Sequence, residues 1–169
     1  DMGSDNGQAA VIDADWPILL LHATDDSRDL YPVPPADYEL WGIKNQSAWV
    51  GALQNDTTIE AIAADGSIET IRLDSGEIAA IGVGAGNAQG QGSALFLSAD
   101  KLIAAVQHDD GDGDESTAFW PERLHSSGHR LPVDAQYAAV VCTVATDVRP
   151  IDPAGGLLAT HGCAAAGDQ

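Results

Sequence analysis

Residues 109 to 115 read DDGDGDE, five acids in seven positions. Within them Asp110, Asp112 and Asp114 stand at alternate positions, the D-x-D-x-D opening of many calcium loops. Alternate side chains in a curved loop can aim their oxygens at one point, and Gly111 and Gly113 let the backbone bend there. An EF-hand also needs Gly at its sixth position and a bidentate Glu at its twelfth. This chain has Glu115 and Pro121 in those places, so the EF-hand reading fails. What remains is a calcium site of another geometry, completed by Asp109, Glu115 or a backbone carbonyl, or a solvated loop between strands.

Catalytic constellations are harder to assemble. Paired carboxylates suit glycoside hydrolysis, but no second acidic cluster marks a partner for this one. Ser93 in GQGSA does not match the G-x-S-x-G elbow, and the glycine-rich stretch 82–92 misses G-x-G-x-x-G in every register. His125 and His129 lie four apart, yet Gly128 separates them and nothing supports a helix, so they read as surface histidines. The expectation is a non-enzymatic protein. Trp120 beside aspartate oxygens suits a sugar ring, which keeps a calcium-dependent carbohydrate- or protein-binding adhesin module as the alternative.

These residues must be held by something, and composition indicates what. The 169 residues are the length of one domain, and their 44% hydrophobic content argues for a packed core despite a net charge of −19. Of 26 acids only six are glutamate, and aspartate favours turns over helices. Strong negative charge repels phosphate backbones, so nucleic acid is not an expected partner. The longest apolar run, WPILLLHA at 16–23, is too short to span a bilayer, so no membrane insertion is expected. Cys142 and Cys163 are the two cysteines, and an even count predicts one disulfide tying the C-terminal tail to a strand. Asn45-Gln46-Ser47 and Asn55-Asp56-Thr57 are sequons, making Asn45 and Asn55 possible glycan acceptors in an exported chain. The sequence begins at Asp1 without a targeting segment in it, so if the chain is exported a leader is expected to have been removed.

From Leu40 onward short apolar or β-branched runs alternate with QND, ADG, DSG and SAD turns every 8 to 12 residues or so. TIEAIAADGSIETIRL reads as a hairpin around Asp65-Gly66, and TAFWPERL holds at most one helical turn after Pro121. The expected fold is all-β, a β-sandwich of jelly-roll or immunoglobulin-like type over residues 38–169. Residues 1–37 form an N-terminal arm and a linker bearing Pro32, Pro34 and Pro35.

The stretches Asn55 to Ile59, Leu73 to Glu77 and Ser98 to Ala104 carry a shared turn grammar. In it the chain resembles the repeats of the IgGFc-binding protein N-terminal domain family, over roughly residues 48 to 141. That resemblance implies an extracellular interaction or structural role and supplies no catalytic residues.

The arm gives the functional expectation. Val11, Ile12, Ile18, Leu19, Leu20 and Leu21 form an apolar strand that can fold onto its own sheet or insert into a neighbour. Repeated head to tail, the second option builds an open filament. The chain is expected to be an extracellular or cell-surface structural subunit that self-associates through the arm. A glycan or surface-protein ligand belongs to the alternative.

Overall fold

The computed structural model describes residues 12, 14–16, 18–23, 30–86, 92–108, 117–130 and 140–167. Its regular structure is almost entirely antiparallel strand. In chain order these are β1 (Leu20–Ala23), β2 (Leu30–Val33), β3 (Asp37–Lys44), β4 (Ser47–Ala52), β5 (Thr57–Ala63) and β6 (Ile68–Leu73). They are followed by β7 (Ile78–Ala80), β8 (Ser93–His108), β9 (Thr117–Ala118), β10 (Trp120–Pro121), β11 (Thr146–Val148) and β12 (His161–Cys163). Pro121 leads into one 3-10 turn, Glu122–Leu124, and no α-helix occurs among the described residues.

β8 organises the main sheet because it pairs with four strands. Its residues 93–99 lie between β3 and β5, and its residues 103–108 lie between β4 and β9. Two half-sheets result, in the orders β6-β5-β8-β3-β10 and β7-β4-β8-β9. The exchange of partners falls where the β3–β8 register jumps, between Asp37↔Ile103 and Glu39↔Ser98. Such irregularities let a strand turn a corner from one sheet into another. The sequence suggests two strands here, divided by a Ser98-Ala99-Asp100 turn; the structure has one. Asp100 does not turn the chain: its carboxylate accepts the Thr58 amide at 2.8 Å, while Lys101 Nζ donates to the Asn55 carbonyl at 2.8 Å.

Alternation along each strand sends one set of side chains inward. In β5 these are Thr57, Ile59, Ala61 and Ala63, all buried. Leu95 and Leu97 from one half of β8, Ile103 and Ala105 from the other, and Leu40, Val50, Ile71 and Phe119 join them in one hydrophobic cluster. Phe119 sits between β9 and β10 and closes over Gly42, where a Cβ would come within 2.3 Å of its ring. A β5–β6 hairpin turns at Asp65-Gly66, with Gly66 at φ +81° and the Asp65 carboxylate accepting the Ser67 amide and hydroxyl. Those two hydrogen bonds hold the Asp65 carboxyl below its ordinary pKa, the hydroxyl contributing most.

Part of the stretch expected as linker is strand. Leu30–Val33, anticipated as linker, is strand β2 and pairs with β1 over four residues, with Pro32 opposite Leu21. A proline is tolerated there because a two-stranded ribbon leaves half its main-chain groups outside any ladder. The ribbon forms a separate sheet, and β2 lies near β9 without strand pairing to it. β11 and β12 make a second separate ribbon.

Candidate functional site

The arm residues are largely open to solvent. Ile18 is 57% exposed, Leu19 77% and Leu21 49%; Ile12 and Trp16 are exposed too, and Leu20 is half-buried. Val11 lies outside the described residues, as do Asp110, Asp112 and Asp114. Among the described residues no group of three or more His, Cys, Asp or Glu is placed to hold a metal ion.

Cys142 and Cys163 form a disulfide with their Cα atoms 6.3 Å apart. Cys142 is buried, and its carbonyl accepts the Gly167 amide at 2.8 Å. The expected strand around Cys142 is absent at residues 140–142, so the bond ties the β12 ribbon to an irregular segment. The two sequons part company. Asn55 is exposed, with its side-chain oxygen accepting the Ser75 amide at 3.0 Å. Asn45 is buried at 5% exposure, and Gly86 crosses so close that a Cβ on it would lie 2.7 Å from the Asn45 carbonyl. That burial is at odds with reading Asn45 as a glycan acceptor, since an attached sugar would have to displace the loop above it.

Beside Asn45 the buried Lys44 holds that loop. Its ammonium donates to the carbonyls of Ile81, Gly82 and Val83 at 2.8, 3.2 and 3.1 Å. From the opposite side the Glu69 carboxylate accepts the amides of Gly82 and Val83 at 2.6 and 3.2 Å. Lys44 and Glu69 are thus joined through the peptide groups between them, and the ammonium's three donors all have acceptors.

The second surface feature is one the sequence reading missed. The register places Trp120 opposite Trp41, Trp41 opposite Phe96, Phe96 opposite Ile62 and Ile62 opposite Ile68. One line of large apolar side chains therefore crosses β10, β3, β8, β5 and β6 on their outward face. Ile68 is 62% exposed and Trp120 40%, while the middle three are half-buried. The Trp41 and Phe96 rings stand 4.8 Å apart, tilted by 35°. Trp41 Nε1 donates to Glu122 Oε2 at 3.3 Å, which places a carboxylate from the 3-10 turn beside the ring. The next outward line on the same strands is Glu39, Ser98, Glu60 and Thr70, all hydrogen-bonding side chains. Neither line contains a lysine or arginine.

The sequence did hold a signal for this row. ELWGI, SALFLS and EAIA are apolar at both inward and outward positions, which a sheet with one solvated polar face does not need. The outward face of the half-sheet is apolar along this row and polar along the line beside it. Comparison with family models, with curated proteins and with solved structures finds no match for this chain, so both surfaces are read from their own residues.

Proposed function

We propose that this is a non-enzymatic structural protein of an extracellular or cell-surface assembly, in which the N-terminal arm joins one copy to the next. The observation that carries this reading is the exposure of Ile12, Trp16, Ile18, Leu19 and Leu21 on and beside a ribbon that is not part of the main sheet. Isolated two-stranded ribbons are marginal in water, and contiguous exposed apolar surface marks a contact site. Among the described residues β1 pairs with β2 along one edge and with no strand along the other, the edge that this reading offers to a neighbour. The donor in this reading is a ribbon rather than a bare strand. The contact is heterologous, so repetition extends a fibre instead of closing a dimer.

The charge of −19 opposes indiscriminate association and leaves a local apolar contact to supply the attraction. A disulfide, together with the absence among the described residues of any helix able to cross a membrane, is compatible with an extracellular protein. Electron microscopy and sedimentation of the full chain, beside a chain starting at Asp25, test the proposal. Filaments or concentration-dependent growth from the full chain alone support it; monodisperse particles from both at every concentration refute it.

A further inference from the structure

We propose that the outward row Trp120, Trp41, Phe96, Ile62 and Ile68 binds an extended, uncharged glycan chain. The inference uses the outer sheet face and none of the arm residues, so it stands or falls apart from the assembly reading.

Adjacent strands lie about 4.8 Å apart, so four steps make a track about 19 Å long. Outward residues along a strand repeat every 7 Å or so, so the row is flanked by Glu39, Ser98 and Glu60 on one side and by Ile43 and Ala94 on the other. An α-helix, about 10 to 12 Å across with its side chains, would overhang the acidic line Glu39 and Glu60. A peptide laid across the face would meet side chains, and its own main-chain groups would sit over apolar surface without partners. A sugar chain has neither difficulty. The C–H face of a pyranose ring is apolar and slightly positive and packs on the negative face of an aromatic ring. Its hydroxyls project sideways, where Glu39, Ser98, Glu60 and Thr70 on one flank and Glu122 beside Trp41 accept or share hydrogen bonds.

Charge selects the kind of glycan. Glu39, Glu60 and Glu122 are exposed, and no cation stands in either line. Sulfated, uronic or sialylated chains are repelled. A neutral chain can use the carboxylates as acceptors without bringing a like charge to them.

The test is calorimetric titration of the full chain with soluble neutral hexasaccharides of β-linked glucose, xylose, mannose and N-acetylglucosamine. A sulfated hexasaccharide and a lysine-rich amphipathic peptide are run beside them. The expected result is saturable binding of a neutral hexasaccharide, with its disaccharide weaker by about tenfold because it covers only part of the track. Trp120→Ala, at an exposed edge, and Trp41→Ala each weaken binding by about tenfold or more. Should Trp41→Ala fail to fold, Ile68→Asp probes the far end of the row at a solvent-exposed position. The proposal is overturned if no neutral hexasaccharide binds at about 1 mM. It is equally overturned if the edge variants bind as the parent does. Binding of the peptide alone assigns the face to a cationic protein partner instead.

Discussion

The two ribbons outside the main sheet are built alike and held differently. β1–β2 pairs over four residues and β11–β12 over three, and neither extends the eight-stranded sheet. Ribbons of that size need outside support. β12 has it, because Cys163 is bonded to the buried Cys142, whose carbonyl also accepts the Gly167 amide. Gly167 in turn lies against Ala64 in the β5–β6 turn, which brings the tail to the main sheet. β1 has no covalent tie, turns Leu21 to solvent and follows the exposed Ile18 and Leu19. One ribbon is secured by limiting the freedom of the unfolded chain, whereas the other keeps apolar surface that is stabilised only once something covers it. This difference between a finished element and an unfinished one is the ground for placing assembly at the N-terminus.

Removing the staple is the harshest way to break the comparison. Cys163→Ser opens a link between residues 21 apart and is expected to cost about 3 kcal/mol in denaturant unfolding. Amide exchange at β12 should accelerate while β1–β2 exchange stays as it was. Equal stability with and without the bond would mean that the two ribbons do not differ in the way argued above.

The Lys44 clamp gives a third kind of fastening, by charge, and the next largest effect. Lys44→Met keeps the aliphatic volume but leaves the carbonyls of Ile81, Gly82 and Val83 without their donor, at a cost of about 2 kcal/mol. Glu69→Gln weakens the bonds to the Gly82 and Val83 amides and should cost less. Since both side chains act on the same peptide groups, a double-mutant cycle on thermal or denaturant unfolding should show coupling. Strict additivity would separate the two contacts.

What could be read in advance follows the range of the interactions. The Asp65-Gly66 hairpin is local chemistry and is visible in the letters, as is the pairing of two lone cysteines. The single strand β8 is not visible, because Ser98-Ala99-Asp100 carries turn residues whose polar groups are used by β5 instead. Pro32 argues against a strand, and the ribbon accommodates it as an edge position. Lys44 resembles a surface lysine until strand alternation places it in phase with Leu40 and Gly42, facing inward. The aromatic row is the clearest case. Each member sits in a recognisable apolar run, yet their alignment depends on four separate strand registers, and register across distant strands is a tertiary property. The acidic stretch 109–115 lies outside the described residues.

A gentler test asks where the body begins. Asp37 opens β3, accepts the Tyr38 amide at 2.8 Å and pairs with Arg123 from the 3-10 turn. The Tyr38 hydrogen bond first, and Arg123 after it, hold the Asp37 carboxyl below its ordinary pKa. A depressed folded pKa adds stability above the unfolded value, near 3.9, and that stability is lost as pH falls through the lower folded value. Asp37→Asn should therefore be less stable than the parent at neutral pH by no more than about 1 kcal/mol, the pair being on the surface. The gap should close as unfolding is followed down below pH 4 or so. A gap that stays constant with pH would show that the carboxylate's charge is not what joins the turn to β3.

The smallest effect on folding is the one that bears most on function. Ile18→Ser with Leu19→Ser removes two exposed apolar side chains that the isolated chain does not bury. Unfolding of the monomer should shift by less than about 0.5 kcal/mol, the range of surface substitutions. Assembly through the proposed joint, by contrast, should be lost, because that joint would bury both side chains. Sedimentation across a concentration series measures association, and denaturant unfolding at the lowest concentration measures the fold. If the double variant loses several kcal/mol as a monomer, the arm is packed on its own body and the contrast between the ribbons disappears. If it keeps both its stability and its association, the apolar arm is not the joint between copies, and the search moves to the exposed Ile151, Leu157 and Leu158 beside the stapled ribbon.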